Sequence, residues 1–179
     1  MSIFKILDKI KNIFIIPKVN RKIKTCKYVH LMHNDKFNKP FVDFLNRNFD
    51  SKEHLFLCKK WIKDEEIAPF PVGDNVIEVF SYYGIDFKSG NIKKIICHSL
   101  FDKEIINHLY YHKDILKEKA YWLIWGGDLY NAPDNKRNNY VRKYIKAYIS
   151  DTDGDCEKAQ QKYGSSAVCY KAGYTFPIN

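Results

Sequence analysis

Five short apolar runs of β type, Lys27 to Met32, His54 to Cys58, Val76 to Phe80, Ile92 to Cys97 and Ala120 to Trp125, alternate along the chain with helical patterns. Amphipathic helices are expected from Pro40 to Phe49, Phe101 to His112, Lys136 to Ile149 and Asp155 to Tyr163. Asp102 is a capping candidate, and Gly164 a stop. Strands joined through helices run parallel and need both sheet faces covered. The expectation is therefore an α/β fold: a Rossmann-like, mostly parallel sheet with helices on both faces.

Such sheets bind ligands outside the carboxyl ends of their strands. The run Tyr121-Trp122-Leu123-Ile124-Trp125 ends in Gly126-Gly127, which frees the backbone to turn tightly, and Asp128 follows at once. The first strand ends near Asp35 and the fourth at His98. Parallel strands would bring Asp35, His98 and Asp128 to one edge, as a candidate site. Each alone also suits a turn or a helix cap.

At 179 residues, with 45% hydrophobic and 16% aromatic residues, the chain has enough apolar material for one domain with a real core. Its net charge of +9 comes mainly from lysines spread along its length. That pattern favours general attraction to polyanions or anionic membrane, or a solvated surface, over a sequence reader. No zinc-finger spacing, helix-turn-helix or RNP-type motif is present, so nucleic acid is not the expected partner. The five cysteines, Cys26, Cys58, Cys97, Cys156 and Cys169, include no C-x-x-C pair. They are expected as reduced thiols of a cytosolic protein, with Cys58 and Cys97 as small buried hydrophobes.

Residues 1–26 read as a basic amphipathic extension and linker ahead of a domain over 27–179. Ile3, Ile6, Leu7, Ile10, Ile13 and Phe14 recur at helical spacing, and Lys5, Lys9 and Lys11 lie mostly off that face. Pro17 is expected to end the helix, and Lys18 to Lys27 to be a basic linker. Such a helix lies in a membrane interface or packs on the domain or a partner. Asp151-Thr152-Asp153-Gly154-Asp155 invites a metal reading. Counted from Asp151, however, Cys156 and Lys162 occupy the positions where a calcium loop needs Gly and Glu. A segment between two expected helices is better read as an acidic N-cap, with Glu157 just inside.

Four segments together resemble a known family. Tyr28-Val29-His30-Leu31-Met32-His33-Asn34-Asp35-Lys36-Phe37, continuing into Pro40-Phe41-Val42-Asp43-Phe44, resembles the opening of the TDP-N-acetylfucosamine:lipid II N-acetylfucosaminyltransferases, also called 4-alpha-L-fucosyltransferases, glycosyltransferase family 56. Trp125-Gly126-Gly127-Asp128-Leu129-Tyr130 is similar to that family's W-G-[AG]-D-L-Y signature. Cys97-His98-Ser99-Leu100-Phe101 is similar to its His-containing strand end, and Gly154-Asp155 with Tyr163-Gly164 to the close of its N-terminal domain.

The resemblance implies the N-terminal half of a GT-B enzyme. Its implied reaction moves an amino-deoxy sugar from a nucleotide sugar, of the dTDP type, to a lipid-linked polyprenyl-diphosphate oligosaccharide in bacterial surface polysaccharide assembly. Its implied location is peripheral, at the cytoplasmic face of the inner membrane. Asp128, with His98 and Asp35 next, is then the candidate base. Trp125, Gly126, Gly127 and Tyr130 would line the acceptor sugar site. Arg137, Arg142, Lys143 and Lys146 would hold the acceptor diphosphate. No metal or cofactor is expected. The sequence departs from the family in its longer N-terminal extension and in stopping at Tyr174 to Asn179, about where a donor domain would begin, so an acceptor-side domain alone is expected. The alternatives are a non-catalytic module that binds lipid-linked glycan or a partner, and a basic protein of membrane surface or nucleic acid.

Overall fold

The computed structural model describes residues 3–59, 70–88 and 90–172, with side chains from residue 13 onward. Pro69 and the closing Tyr174 to Asn179 stretch lie outside the described residues. The fold is α/β, and its strands pair in parallel. It divides into two compact units, the first running to Lys93 and the second starting at Lys94.

In the first unit, α1 (Ile3–Ile23) precedes β1 (Tyr28–His33), α2 (Asn38–Asn48), a short 3-10 turn (Ser51–Glu53), β2 (His54–Lys59) and β3 (Val76–Val79). Tyr28 registers with His54, and Phe56 with Val76, all in parallel. Met32, Val42, Phe56 and Cys58 are fully buried together, with Phe41, Leu45 and Phe70 against them.

Pro17 does not end the first helix, which runs through it to Ile23. The missing N–H is tolerated because the turns beyond are held: Val19 and Ile23 are fully buried. Asn20 donates to the Gly84 carbonyl at 3.3 Å and accepts from Asp86 N at 3.0 Å. The expected basic linker from Lys18 is therefore helix as far as Ile23, and Cys26 beyond it is buried too.

In the second unit, β4 (Lys94–His98) leads to α3 (Lys103–Tyr111), capped by Asp102, which accepts from Glu104 N at 2.6 Å and Ile105 N at 3.4 Å. Then follow α4 (Lys113–Glu118), β5 (Ala120–Leu123), α5 (Gly127–Tyr130), α6 (Lys136–Tyr144), β6 (Ala147–Ser150), α7 (Asp155–Tyr163) and β7 (Val168–Lys171). Gly164 stops α7 at φ +60°.

Two expectations fail here. The helix expected to reach Ile149 ends at Tyr144, and Ala147–Ser150 is a parallel strand beside β5. Tyr144, Ile145 and Tyr148 fit a helical stripe and a strand equally well, and pairing decides. Tyr148 is fully buried, and its hydroxyl donates to the Arg142 carbonyl at 2.6 Å. The aspartate run consequently follows a strand rather than joining two helices. Its N-cap is Gly154, with φ +84°, and not an acidic side chain.

The cysteine expectation also needs correction. Cys156 and Cys169 are disulfide-bonded, with their Cα atoms 6.0 Å apart, and tie α7 to β7. Cys26, Cys58 and Cys97 are free and buried, and burial pushes their thiols up to about 11, 12 and 12. Thiols held that far from the thiolate are unreactive.

Candidate functional site

The carboxyl ends of β4 and β5 lie side by side in the second unit, with His98 registered against Leu123. Just beyond β5 the chain makes a γ-turn centred on Gly126, whose φ of +65° and ψ of −63° let Gly127 N reach the Trp125 carbonyl at 2.6 Å. A side chain there is strained by conformation, not by crowding: only Tyr130 Cδ2, at 4.0 Å, neighbours the added Cβ. Gly126→Ala should therefore cost about 1–2 kcal/mol in a urea titration; a change near zero would show that the loop reshapes freely.

The turn throws Asp128 inward, and its exposure is 0%. One carboxylate oxygen accepts from Leu100 N at 2.8 Å and from the Trp122 indole N–H at 2.5 Å; the other accepts from Trp125 N at 2.9 Å. Arg142, also fully buried, answers from the other side. Its Nη2 donates to the Leu100 carbonyl at 2.7 Å and lies 3.5 Å from the Asp128 carbonyl. Its guanidinium sits 5.3 Å from the Trp122 ring and 5.7 Å from the Tyr163 ring. Burial lowers its pKa from the ordinary arginine value, against the pull of Tyr163 and Asp128. An arginine nevertheless stays charged. A carboxylate and a guanidinium thus hold the N–H and the C=O of Leu100 and tie the loop after β4 to the loop after β5.

Asp128 thus joins the loops after β4 and β5 through three protein donors. His98 is 3% exposed, and burial pushes its imidazole down to about 3. Such a ring is neutral and a weak base near pH 7. The folded value lies below that of the unfolded chain. The unfolded state therefore holds the extra proton between about pH 3 and 6.5, and stability falls as the pH falls through that window. Burial lowers His54 as well, so a comparison isolates the residue. His98→Gln should flatten the acid limb of the stability–pH curve by up to about 1.4 kcal/mol per pH unit, with parallel curves as the contrary result.

The other sequence candidates divide in the same way. Asp35, in the first unit, accepts from Phe37 N at 3.0 Å in the turn that starts α2. Arg137 bonds to Asn107 and to the Tyr111 hydroxyl and stacks near Tyr110 and Tyr111. Arg142 is fully buried. Lys143 and Lys146 are exposed on and just beyond α6.

Aromatic side chains are what the rigid loops leave at the surface. Tyr130 is 50% exposed and Phe101 44%, while Trp125 is partly exposed. Phe101 lies against Gly127, 3.4 Å from where a Cβ would stand. The Tyr130 hydroxyl donates to Asp155 at 2.7 Å, and the Lys158 ammonium lies 5.2 Å from its ring. Sequence reasoning missed Leu100, Trp122 and Tyr163 as partners, and Phe101, Asp155 and Lys158 as neighbours. Asp155 stands 25 positions from Tyr130, and no spacing rule links them.

Elsewhere, a polar cavity of about 350 Å³ opens at the amino ends of the first unit's strands, among Lys22, Asn46, Lys52, His54 and Asn75. Among the described residues, no group of three or more His, Cys, Asp or Glu is placed to hold a metal ion. No family model, curated protein or solved structure matches the chain.

Proposed function

We propose that this chain is the acceptor-side part of a glycosyltransferase that takes a lipid-linked oligosaccharide, with Trp125, Tyr130 and Phe101 as its sugar-contacting surface. One observation carries the reading: loops locked from within by Asp128 and Arg142 display aromatic faces at the carboxyl ends of parallel strands. An aromatic ring with a polar tip offers an apolar face to sugar C–H groups and a hydrogen bond to hydroxyls. Rigid backing keeps the ordering cost of binding low. The resemblance of Trp125 to Tyr130 to the fucosaminyltransferase signature supplies the reaction class: transfer of an amino-deoxy sugar from a dTDP-type donor held by a second domain. In this reading Asp128 is a positioning residue.

The burial of both His98 and Asp128 favours a second reading, a non-catalytic module that holds the same glycan. The two readings share the binding surface and differ in turnover. Trp125→Ala and Tyr130→Ala should each weaken binding of a polyprenyl-diphosphate oligosaccharide roughly tenfold in an NMR titration, at unchanged urea midpoints. Full binding by both variants would remove the surface from consideration. Donor-dependent transfer by the chain supplied with a donor-binding domain selects the enzyme, and binding without transfer under those conditions selects the module.

A further inference from the structure

We infer that α1 is a two-faced tether, one face pinned to the first unit and the other laid on an anionic lipid surface. The pinned face is defined by Ile16, Val19, Asn20 and Ile23. Val19 and Ile23 are fully buried, and Asn20 hydrogen-bonds to Gly84 and Asp86. Ile16 packs so closely on Gly84 that a Cβ there would come within 2.9 Å of it.

The apolar stripe of the sequence lies on a different face. At 3.6 residues per turn, positions 3, 6, 7, 10, 13 and 14 centre roughly a third of a turn away from positions 16, 19, 20 and 23. The described end of that stripe is open, with Ile13 65% and Phe14 77% exposed. Pro17, on the same face, is exposed too. The pinned face therefore does not bury Ile13 or Phe14.

The occupant follows from charge and reach. Lys18 and Arg21, both exposed, stand at the end of the stripe, and Lys9 and Lys11 flank it in sequence; the only acidic residue of the helix is Asp8. An apolar stripe edged by cations on a protein of net charge +9 matches an anionic bilayer interface, where apolar residues enter the head-group boundary and lysines meet phosphates. No helix of the described residues is long and apolar enough to cross a membrane, so the contact is one of lying on the surface. The inference is independent of the glycosyltransferase reading.

The test is co-sedimentation of the full chain with phosphatidylcholine vesicles, with and without about a quarter phosphatidylglycerol. Wild type should bind the anionic vesicles and leave the neutral ones largely unbound. Ile13→Asp with Phe14→Asp should lose roughly tenfold or more of that binding, and Lys18→Glu with Arg21→Glu about fivefold or more per charge. Both variants should keep the wild-type urea midpoint, since the residues changed are exposed. Several outcomes overturn the inference: no binding by wild type, equal binding by the Ile13/Phe14 variant, or a lowered midpoint showing that the stripe packs on protein. So does sedimentation showing that the stripe drives self-association while vesicle binding is untouched.

Discussion

Asp128→Ala is expected to destabilise the protein by about 3–5 kcal/mol, the largest effect of any single substitution in the loop. The change strands two buried donors, Leu100 N and the Trp122 indole, and the part-buried Trp125 N, and leaves the charge of Arg142 buried without its carboxylate counterpart. Asp128→Asn should cost less, about 2 kcal/mol. The amide keeps one oxygen but turns an N–H₂ towards a donor that needs an acceptor. Urea titrations with an unchanged slope would give both values. Trp122→Phe combined with Asp128→Asn should fall short of additivity by about 1 kcal/mol or more, because both changes break the same bond. A loss below about 1 kcal/mol for Asp128→Ala would return the carboxylate to the list of candidate bases.

Opening the Cys156–Cys169 disulfide ranks second, at about 3 kcal/mol. The bridge closes a loop with a sequence separation of 13, and the chain-entropy relation assigns that much to a loop of such length. The strand it ties, β7, pairs in register with β6, from Ala147 with Val168 to Ser150 with Lys171, yet all four of its residues are exposed. With so little buried surface of its own, β7 depends on the bridge for local order. Cys156→Ser with Cys169→Ser should lower the urea midpoint accordingly and speed amide exchange in 168–171 before the rest of the second unit. Wild type with a dithiol reductant should behave the same way. Exchange that rises uniformly across the unit would assign the bridge a global role instead.

Legibility tracked the range of the forces involved. Local patterns placed β1, β2, β3, β4 and β5 within a residue or two, the Asp102 cap and the Gly164 stop, because alternation, capping and left-handed backbone are written in neighbouring residues. Pro17 misled, since the helix-breaking tendency of proline was outweighed by the buried contacts of Val19 and Ile23. The aspartate run misled because β6 was hidden inside a stripe that also fits a helix. The disulfide was hidden with β7, the strand that brings Cys169 to Cys156.

The sequence by itself determined the parallel α/β class, the tight turn after Trp125 and the placing of a carboxylate immediately behind it. Only the tertiary structure decided which way that carboxylate faces. Leu100, 28 positions earlier, and Arg142, 14 positions later, come to Asp128 through strand pairing and helix packing. A carboxylate that satisfies buried N–H groups is held inward by the cost of leaving them unmet, and no local pattern registers that cost.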